Sequence, residues 1–250
     1  MLTARRVPWP RDEMKKTMTD FCLLAIDTAT EACSAALLVG DRMIERSEVA
    51  PRRHAELILP MIESLLAEAG ISRRGIDGIA VGRGPGAFTG VRLAISVAQG
   101  LALGLDVPVV PVSSLAALAQ DVPLQHDTPI LAVIDARMGE IYAGTFRRGA
   151  SGLVEALGPE SVGPAQQLVL PPSERWSVVG SGWSAYRDVL MTRLPGEPRW
   201  CDSTRLPQAH AIARLAAPQF AAGNALAPEL ALPVYLRDKV ALTLEEQRAR

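Results

Sequence analysis

An aspartate closes the first apolar run of the chain, and a turn rich in hydroxyl groups follows it in the stretch AIDTATEACS, residues 25–34. Such an aspartate can hold a metal-bound phosphate, with Thr28 and Thr30 donating hydrogen bonds to the same anion. Phosphate-binding turns usually carry a glycine so that backbone N–H groups can approach, but Thr28 and Ala29 occupy that place here. Asp27 could equally cap a structural turn. The residues leave both alternatives open.

A glycine-rich loop, GRGPGAFTG at residues 82–90, precedes a predicted helix. No Gly-Lys-Ser/Thr sequence follows, so the loop is not a P-loop, and it fits the dinucleotide-binding pattern GxGxxG poorly. Gly84 and Gly86 are predicted to take positive φ angles, and Thr89 is predicted to cap the helix. The candidate residual nucleotide contacts are therefore Asp27, Thr28, Thr30, Gly84 and Gly86.

A third polar cluster, in DARMGEIYAG at residues 135–144, combines Asp135, Arg137 and Glu140. These charges could form an ion-paired turn between two strands, or a contact site for a partner or a nucleotide. The sequence holds no HxxxH, HExxH or CxxC motif, so no metal-ligand set is predicted. The odd number of cysteines, 3, indicates buried reduced thiols rather than disulfides.

These residues need a scaffold, and the apolar pattern predicts alternating strands and helices. In the first half the predicted strands cover residues 21–27, 32–40, 41–49, 75–82 and 107–112, and the helices cover 54–69 (ended by Gly70), 89–103 and a segment beginning at 113. The second half is predicted to hold strands 130–137 and 140–148 joined at Gly139, a strand at 175–183, a helix from Ser184 and a helix at 207–223. Mixed sheets with helical crossovers and two similar β-rich openings predict a duplicated, ribonuclease-H-like, two-lobed α/β fold.

The predicted domain boundaries follow breaks in this pattern. Residues 1–20 are charged and contain proline, and we interpret them as a disordered extension or the product of a start codon assigned too early. Residues 21–121 are predicted to form the first lobe and residues 122–227 a smaller second lobe. Residues 228–250 are predicted to return to the first lobe and to fray at their end.

Composition narrows the class of function. A formal net charge of -1 and an aromatic content of 4% argue against a nucleic-acid-binding surface. Any role of this protein in RNA metabolism is therefore expected to be indirect. No apolar run is predicted to span a membrane, and no apolar segment follows Arg5 and Arg6 as a secretory signal would require. A cytoplasmic protein without membrane contact is therefore expected.

The helices predicted at 54–69 and 89–103 are apolar around more of their circumference than one sheet can cover. Small residues also recur at i, i+4 in Ala94-Ala98-Ala102 and Ser96-Gly100-Gly104, which would let a neighbouring helix approach closely. The two helices could pack on each other, or form a bundle with another subunit. The candidate partner-binding residues are Leu57, Ile58, Met61, Ile62, Leu65, Ala94, Val97, Ala98 and Leu101. Leu65→Glu or Ala98→Arg is expected to abolish pairing and leave the monomer folded.

Six motifs in order, spread over about residues 21–240, resemble the bacterial TsaB family, also called YeaZ. They read LAIDTATEACSAAL, PRRHAELILPMI, GRGPGAFTGVRLAISVAQGLALG, VIDARMGEIYAG, VVGSGWSAY and PVYLRD. The resemblance implies a two-lobed fold of the actin-like, sugar-kinase and Hsp70 ATPase class. It also implies a role in making threonylcarbamoyladenosine (t6A) next to the anticodon of tRNAs that read codons beginning with A.

The same resemblance implies a non-catalytic scaffold that dimerises with the catalytic paralogue TsaD, helps to recruit the ATPase TsaE, and serves tRNA indirectly. The paralogue's two metal-binding histidines correspond here to Ser114 and Leu118, which are poor ligands. Trp183 is expected to fill the place of a nucleotide-binding turn. The resemblance implies no cofactor for this chain by itself, and it implies ATP or ADP only in the assembled complex. The same apolar surface would allow two copies of the chain to form a homodimer when TsaD is absent. The alternative is an enzyme in its own right, either a small-molecule kinase or a glycoprotease-like metallopeptidase.

Overall fold

The computed structural model describes residues 21–123 and 129–237, and these form two β-sheets with helices on their faces. The first sheet has the strand order β3-β2-β1-β4-β5. Its strands are β1 Cys22–Asp27, β2 Ala32–Val39, β3 Arg42–Val49, β4 Gly78–Gly82 and β5 Val109–Val112. β1 to β3 form an antiparallel meander, whereas β4 and β5 run parallel to β1 because helices connect them. The extension predicted at residues 1–20 lies outside the described residues.

The second sheet has the order β11-β10-β6-β7-β8, and β9 also pairs with β7. Its strands are β6 Pro129–Arg137, β7 Glu140–Arg148, β8 Val154–Ala156, β9 Ser161–Pro164, β10 Ser177–Val179 and β11 Trp200–Asp202. As in the first sheet, an antiparallel hairpin comes first and parallel strands are then added on its other side. This repetition is the duplicated α/β architecture that the sequence predicts.

Helices cover both faces of each sheet. They are α1 His54–Ala69, α2 Phe88–Leu105, α3 Ser114–Gln120, α4 Ser181–Ala185, α5 Arg187–Arg193 and α6 Ala209–Ala221. β1 shows the alternation of a strand, since Leu24 and Ile26 share a core with α1 and α2 whereas Leu23 and Ala25 share one with α6. β1 is therefore an uninterrupted apolar run because both of its faces are buried.

Two helices differ from the predicted domain boundaries. The predicted first lobe ended at residue 121 and included α3, but Leu115 and Leu118 of α3 pack in the core of the second sheet. The predicted second lobe ended at residue 227 and included α6, but Ile212 and Phe220 pack on the first sheet. Both helices are apolar and follow the last strand of one sheet, so sequence order suggested the wrong lobe.

A charged clamp fixes α6 between the two lobes. The His210 ring donates from Nδ1 to Glu45 Oε2 at 2.9 Å and from Nε2 to Asp121 Oδ1 at 2.8 Å. These hydrogen bonds, that to Asp121 first, raise the pKa of His210 from 6.5 to about 9 despite partial burial. His210 is therefore an imidazolium at neutral pH and ties α6 to β3 and to the end of α3.

Several local predictions are confirmed and others are wrong. α1 has the predicted bounds, and Gly70 ends it in the left-handed conformation with φ 67°. Gly84 takes a positive φ as predicted, but Gly86 does not, and α2 begins after Ala87 without a side-chain cap from Thr89. The strand predicted at 175–183 is only β10, because Gly180 has φ 105° and α4 begins directly after it rather than at Ser184.

α2 requires a correction to the membrane prediction. Its 18 residues have a mean hydropathy of 1.4, so by length and composition this helix could cross a membrane. In the structure Ala94, Ala98 and Ala102 lie with no solvent exposure against β4 and its neighbours. Core helices of globular proteins can be equally long and apolar, and 28% of α2 is buried, so this helix is by itself weak evidence for a membrane span.

The chain after α6 runs along the first lobe before it reaches the second. Leu226 pairs with Val109 at the edge of β5, and the Gln99 side chain of α2 donates to the carbonyl of Ala231 at 3.2 Å. The Arg237 guanidinium donates to the Ala136 carbonyl at 3.0 Å, so the last described residue touches β6. The predicted frayed end at residues 238–250 lies outside the described residues.

Candidate functional site

Asp27, at the end of β1, is enclosed by the protein and is not available to a ligand. Its side chain has no solvent exposure, Oδ1 accepts from the Ala29 N–H at 2.9 Å, and Oδ2 accepts from Ser114 Oγ at 3.3 Å. Burial raises the pKa of Asp27 from 3.8 to about 7, and the two hydrogen bonds oppose that rise. A Cβ on Gly82 would lie 1.8 Å from Oδ2, so this carboxylate packs directly on the next strand.

The glycine loop is shaped by close packing on the turn after β1. The Thr28 hydroxyl donates to the Gly90 carbonyl at 2.6 Å, and the Ala87 N–H donates to the Ala29 carbonyl at 2.7 Å. A Cβ on Gly90 would lie 2.0 Å from the Thr28 carbonyl oxygen, and one on Gly86 would lie 2.2 Å from that of Ala29. The absence of side chains at these glycines therefore lets α2 start against the turn, where a phosphate would otherwise approach.

The predicted nucleotide contacts are consequently split. Asp27 and Thr28 have no solvent exposure, and Gly84 is buried, so these three do not line an open surface. Thr30 and Gly86 do, since both line a cleft of about 960 Å³ between the lobes. The sequence indicated an unusual turn after β1, but it could not show that the glycine loop packs against this turn.

This interlobe cleft is lined by three parts of the chain. Its walls include Thr30, Glu31, Arg52, His54, Phe88 and Arg92 from the first lobe, Asp135, Arg137, Tyr142 and Ser181 from the second, and residues 234–237 of the C-terminal segment. The hydroxyl of Thr30 and Nε2 of His54 are buried without a hydrogen-bond partner among the described residues. A cleft with unsatisfied polar atoms and exposed arginines is the best-formed candidate for a binding site in this part of the chain.

The predicted polar cluster forms an ion-paired turn at the edge of this cleft. Asp135 accepts from the Arg137 backbone N–H at 2.8 Å and from its guanidinium at 3.0 Å, and Arg137 also reaches Glu31 of the first lobe at 3.4 Å. Glu140 does not join them, because it pairs with Arg237. The predicted ion pair is therefore present between Asp135 and Arg137, Glu140 pairs outside the turn, and the use of this cluster as a contact site stays a prediction.

The predicted partner-binding residues also divide by burial. Ile58, Ile62, Leu65, Ala94 and Ala98 are buried in the core between the helices and the first sheet, so these five are corrected to core residues. Leu57, Met61, Val97 and Leu101 are half-buried. The exposed face carries Leu59, Leu103 and the small-residue row Ser96-Gly100-Gly104, which the sequence analysis had noted as a place of close helix approach. Helical periodicity identifies two apolar sides but not which one meets the sheet.

The positions compared with the catalytic paralogue are occupied by packed side chains. Ser114 and Leu118 have no solvent exposure, and Leu118 belongs to the core of the second sheet. Trp183 requires a correction, because it is 5% exposed and packs in the second-lobe core instead of filling the turn at Gly180. Ser181 closes that turn, since its Oγ accepts from the Asp135 N–H at 3.1 Å.

Comparison with known proteins places this fold. A family model described as TsaD: tRNA N6-adenosine threonylcarbamoyltransferase matches residues 45–243. The chain is 42% identical over 226 residues to the Escherichia coli protein named tRNA threonylcarbamoyladenosine biosynthesis protein TsaB, covering 88% of this chain and 96% of that protein. A Haemophilus influenzae protein of the same name is 36% identical over 232 residues, covering 89% and 96%. The solved structure of YeaZ from Pseudomonas aeruginosa superposes with a TM-score of 0.80 at 44% identity, covering 86% of this chain and 100% of that one.

The two sheets, their repeated topology and these matches define a two-lobed α/β protein of the ribonuclease-H-like, actin-like class. Within this class both of the relatives above, each matched over 96% of its length, are named TsaB. The chain belongs to the TsaB family, also called YeaZ.

Proposed function

We propose that this protein is a non-catalytic scaffold subunit in the synthesis of threonylcarbamoyladenosine on tRNA. Relatives that cover most of the chain are named for this biosynthesis, which supports the process. Asp27, Ser114 and Leu118 are buried, so the positions that correspond to the paralogue's catalytic site offer no accessible metal ligand. This favours a scaffold role over catalysis by this chain. Nucleotide, as ATP or ADP, would belong to the assembled complex, with Thr30 and Gly86 as the cleft contacts of this chain.

The observation that carries this proposal is the exposed face of α1 and α2. Ser96, Gly100 and Gly104 form one exposed row on α2, and a Cβ on either glycine would meet nothing within 4 Å. Leu103 beside this row is 63% exposed, and Leu59 on α1 is 48% exposed. A row of small residues flanked by exposed leucines suits a helix of another subunit that packs closely across it.

The proposed occupant of this face is the catalytic paralogue TsaD, whose family model matches residues 45–243 of this chain. Two chains of one fold can present equivalent helix pairs to each other and form a pseudo-symmetric pair. By the same reasoning two copies of this chain would pair when the paralogue is absent. The assembled pair would then offer a surface to the ATPase TsaE and meet tRNA through its partners, in the cytoplasm.

The test is size-exclusion chromatography with light scattering on the chain, on TsaD from the same organism, and on their mixture. We expect a 1:1 heterodimer, lost in Leu103→Glu and Gly100→Arg, because both changes place charge on the exposed face without touching the core. Val169→Glu is the matched control, since Val169 is 82% exposed on the second lobe. Separate peaks for the wild-type proteins, with and without ATP and Mg²⁺, would overturn the proposal.

Burial also changes which variants are informative. Leu65→Glu and Ala98→Arg place a charge in a core with no solvent exposure, so the monomer itself is expected to unfold. Loss of pairing in those variants would therefore say nothing about the interface. Measurable ATP turnover by the isolated chain, lost in Asp27→Ala, would instead support the alternative of an enzyme in its own right.

A further inference from the structure

An exposed arginine–aromatic cluster lies at the mouth of the interlobe cleft. The guanidinium carbon of Arg92 lies 3.1 Å from the centroid of the Phe88 ring and 4.9 Å from that of the Tyr235 ring. The two rings are 6.0 Å apart, and they are 54% and 48% exposed. The first turn of α2 and the C-terminal segment therefore hold Arg92 in a fixed orientation while its surroundings remain open to a partner.

Arg92 of this cluster is not neutralised by an ion pair within residues 21–123 and 129–237. Neither Arg92 nor Arg52, which lines the same cleft, has an ion pair there, although Arg137 and Arg237 of the same cleft do. α2 also begins at this cleft without a side-chain cap and without an acidic residue in its first turn, so the positive end of its dipole adds positive potential there.

A second and independent observation concerns two polar side chains that line the cleft. Thr30 is only 8% exposed, yet its hydroxyl has no hydrogen-bond partner, and the same is true of Nε2 of His54 at the start of α1. Buried polar atoms without partners are costly, and rotation of the threonine about χ1 would exchange its hydroxyl and methyl positions. The floor of the cleft can therefore offer hydrogen bonds to an acidic group that enters beside Arg92.

We propose that this cluster receives a carboxylate side chain from an acidic segment of the partner protein. The inference rests on the proposed function and names the chemistry by which the partner is recognised. The planar guanidinium forms bidentate hydrogen bonds with a carboxylate, and arginine beside exposed aromatic rings is typical of the residues that dominate binding energy. The cluster also adjoins the exposed face of α1 and α2, so a partner seated on the helices reaches it without a second contact region.

A protein carboxylate is favoured over RNA by the charges around the cluster. Glu31 and Asp135 line the same cleft, and the formal net charge of the chain is -1. Both carboxylates pair with Arg137, so Arg92 and Arg52 are separate cationic groups rather than part of a continuous basic stripe that could follow a nucleic-acid backbone, and a single carboxylate side chain can approach Arg92 alone. RNA binding through the cluster is therefore the competing outcome that the experiment must separate.

The experiment measures the dissociation constant of the full-length chain and TsaD by surface plasmon resonance at several salt concentrations. Arg92→Glu should weaken binding by about tenfold or more and flatten the salt dependence, because the side chain then repels the carboxylate. Arg92→Lys should weaken it by about threefold, since charge is kept but the bidentate geometry is lost. Arg175→Glu, an exposed second-lobe arginine, is the charge-matched control and should stay within about twofold.

The outcomes separate this inference from the proposed function. If the wild-type chain forms the heterodimer and Arg92→Glu binds as tightly, with circular dichroism showing both folded, the carboxylate site is refuted and the scaffold proposal stands. If the wild-type chain forms no heterodimer, both are refuted. If Arg92→Glu leaves the heterodimer intact but reduces retention of tRNA by the complex, the cluster serves RNA and the inference is wrong.

Discussion

Gly90→Ala tests whether the glycine loop exists to pack α2 on the turn after β1. The added Cβ would lie 2.0 Å from the Thr28 carbonyl oxygen, which is backbone and cannot move away freely. The same shift would strain the hydrogen bond from the Thr28 hydroxyl to the Gly90 carbonyl, now 2.6 Å long. Gly100→Ala is the matched control in the same helix, because a Cβ there meets nothing within 4 Å.

The two substitutions should change stability in opposite directions. Overpacking costs about 1–3 kcal/mol and loss of the hydrogen bond about 1 kcal/mol, whereas replacing a helical glycine by alanine gains up to about 1 kcal/mol. Gly90→Ala should therefore destabilise the chain by about 1–3 kcal/mol net, and Gly100→Ala should stabilise it by about 0.5–1 kcal/mol. For a chain of this size the Tm should fall by about 2–12 °C and rise by about 1–4 °C respectively.

The assay is thermal unfolding followed by circular dichroism, at a protein concentration low enough to keep the chain monomeric. Urea unfolding at 25 °C gives the free energies independently of the Tm conversion. If Gly90→Ala unfolds at or above the temperature of Gly100→Ala, the close approach does not constrain this position. The steric account of the loop would then be refuted.

Three further predictions concern titratable groups. The pKa of His210 is about 9 in the folded chain and 6.5 ordinarily, so the stability that protonated His210 contributes is complete below pH 6.5 and is lost as pH rises through 9. In urea unfolding, His210→Gln should abolish this decrease of the unfolding free energy with pH. Burial raises the pKa of Asp27 from 3.8 to about 7, so the folded state loses stability as pH rises from 3.8 to 7 and the buried carboxyl group ionises. The free energy of unfolding of Asp27→Asn should therefore rise relative to that of the wild type between pH 5 and pH 8. A difference that does not change with pH would contradict the assigned burial. Cys201 is exposed whereas Cys22 and Cys33 are buried, so one thiol per native chain should react rapidly with Ellman's reagent and none in Cys201→Ser.

Periodicity alone predicted most of the secondary structure, because each helix and strand of the first lobe has an apolar pattern of its own. α1 is the clearest case, since its apolar spacing and the glycine at position 70 set both of its ends. The short β10 was overextended, because the sequence predicts a glycine turn there but the strand was carried on to Trp183 instead of ending before Gly180, where the chain turns into α4. The position of that turn depends on Leu118 and Val133, which pack against Gly180 and are distant in sequence.

The candidate site was predicted less well, for a physical reason that differs from residue to residue. Asp27 and Gly90 were recognised as unusual, but their partners are 87 and 62 residues away in Ser114 and Thr28. The cluster of Phe88, Arg92 and Tyr235 was not predicted at all, because Tyr235 arrives from the C-terminal segment. Phe88 and Arg92 are spaced i, i+4 on α2, but no spacing rule connects them to Tyr235.

The sequence by itself determined the family, the duplicated α/β architecture and the existence of two unusually apolar helices, because these properties are carried by local pattern and by ordered motifs. Only the tertiary structure decided which side of each helix is core, so that Ala98 is buried whereas Gly100 is exposed. It also decided that the glycine loop occupies the turn after β1 and that α6 covers the first sheet. Burial depends on what lies opposite a residue in space, and a helical pattern records only that an apolar surface will be covered.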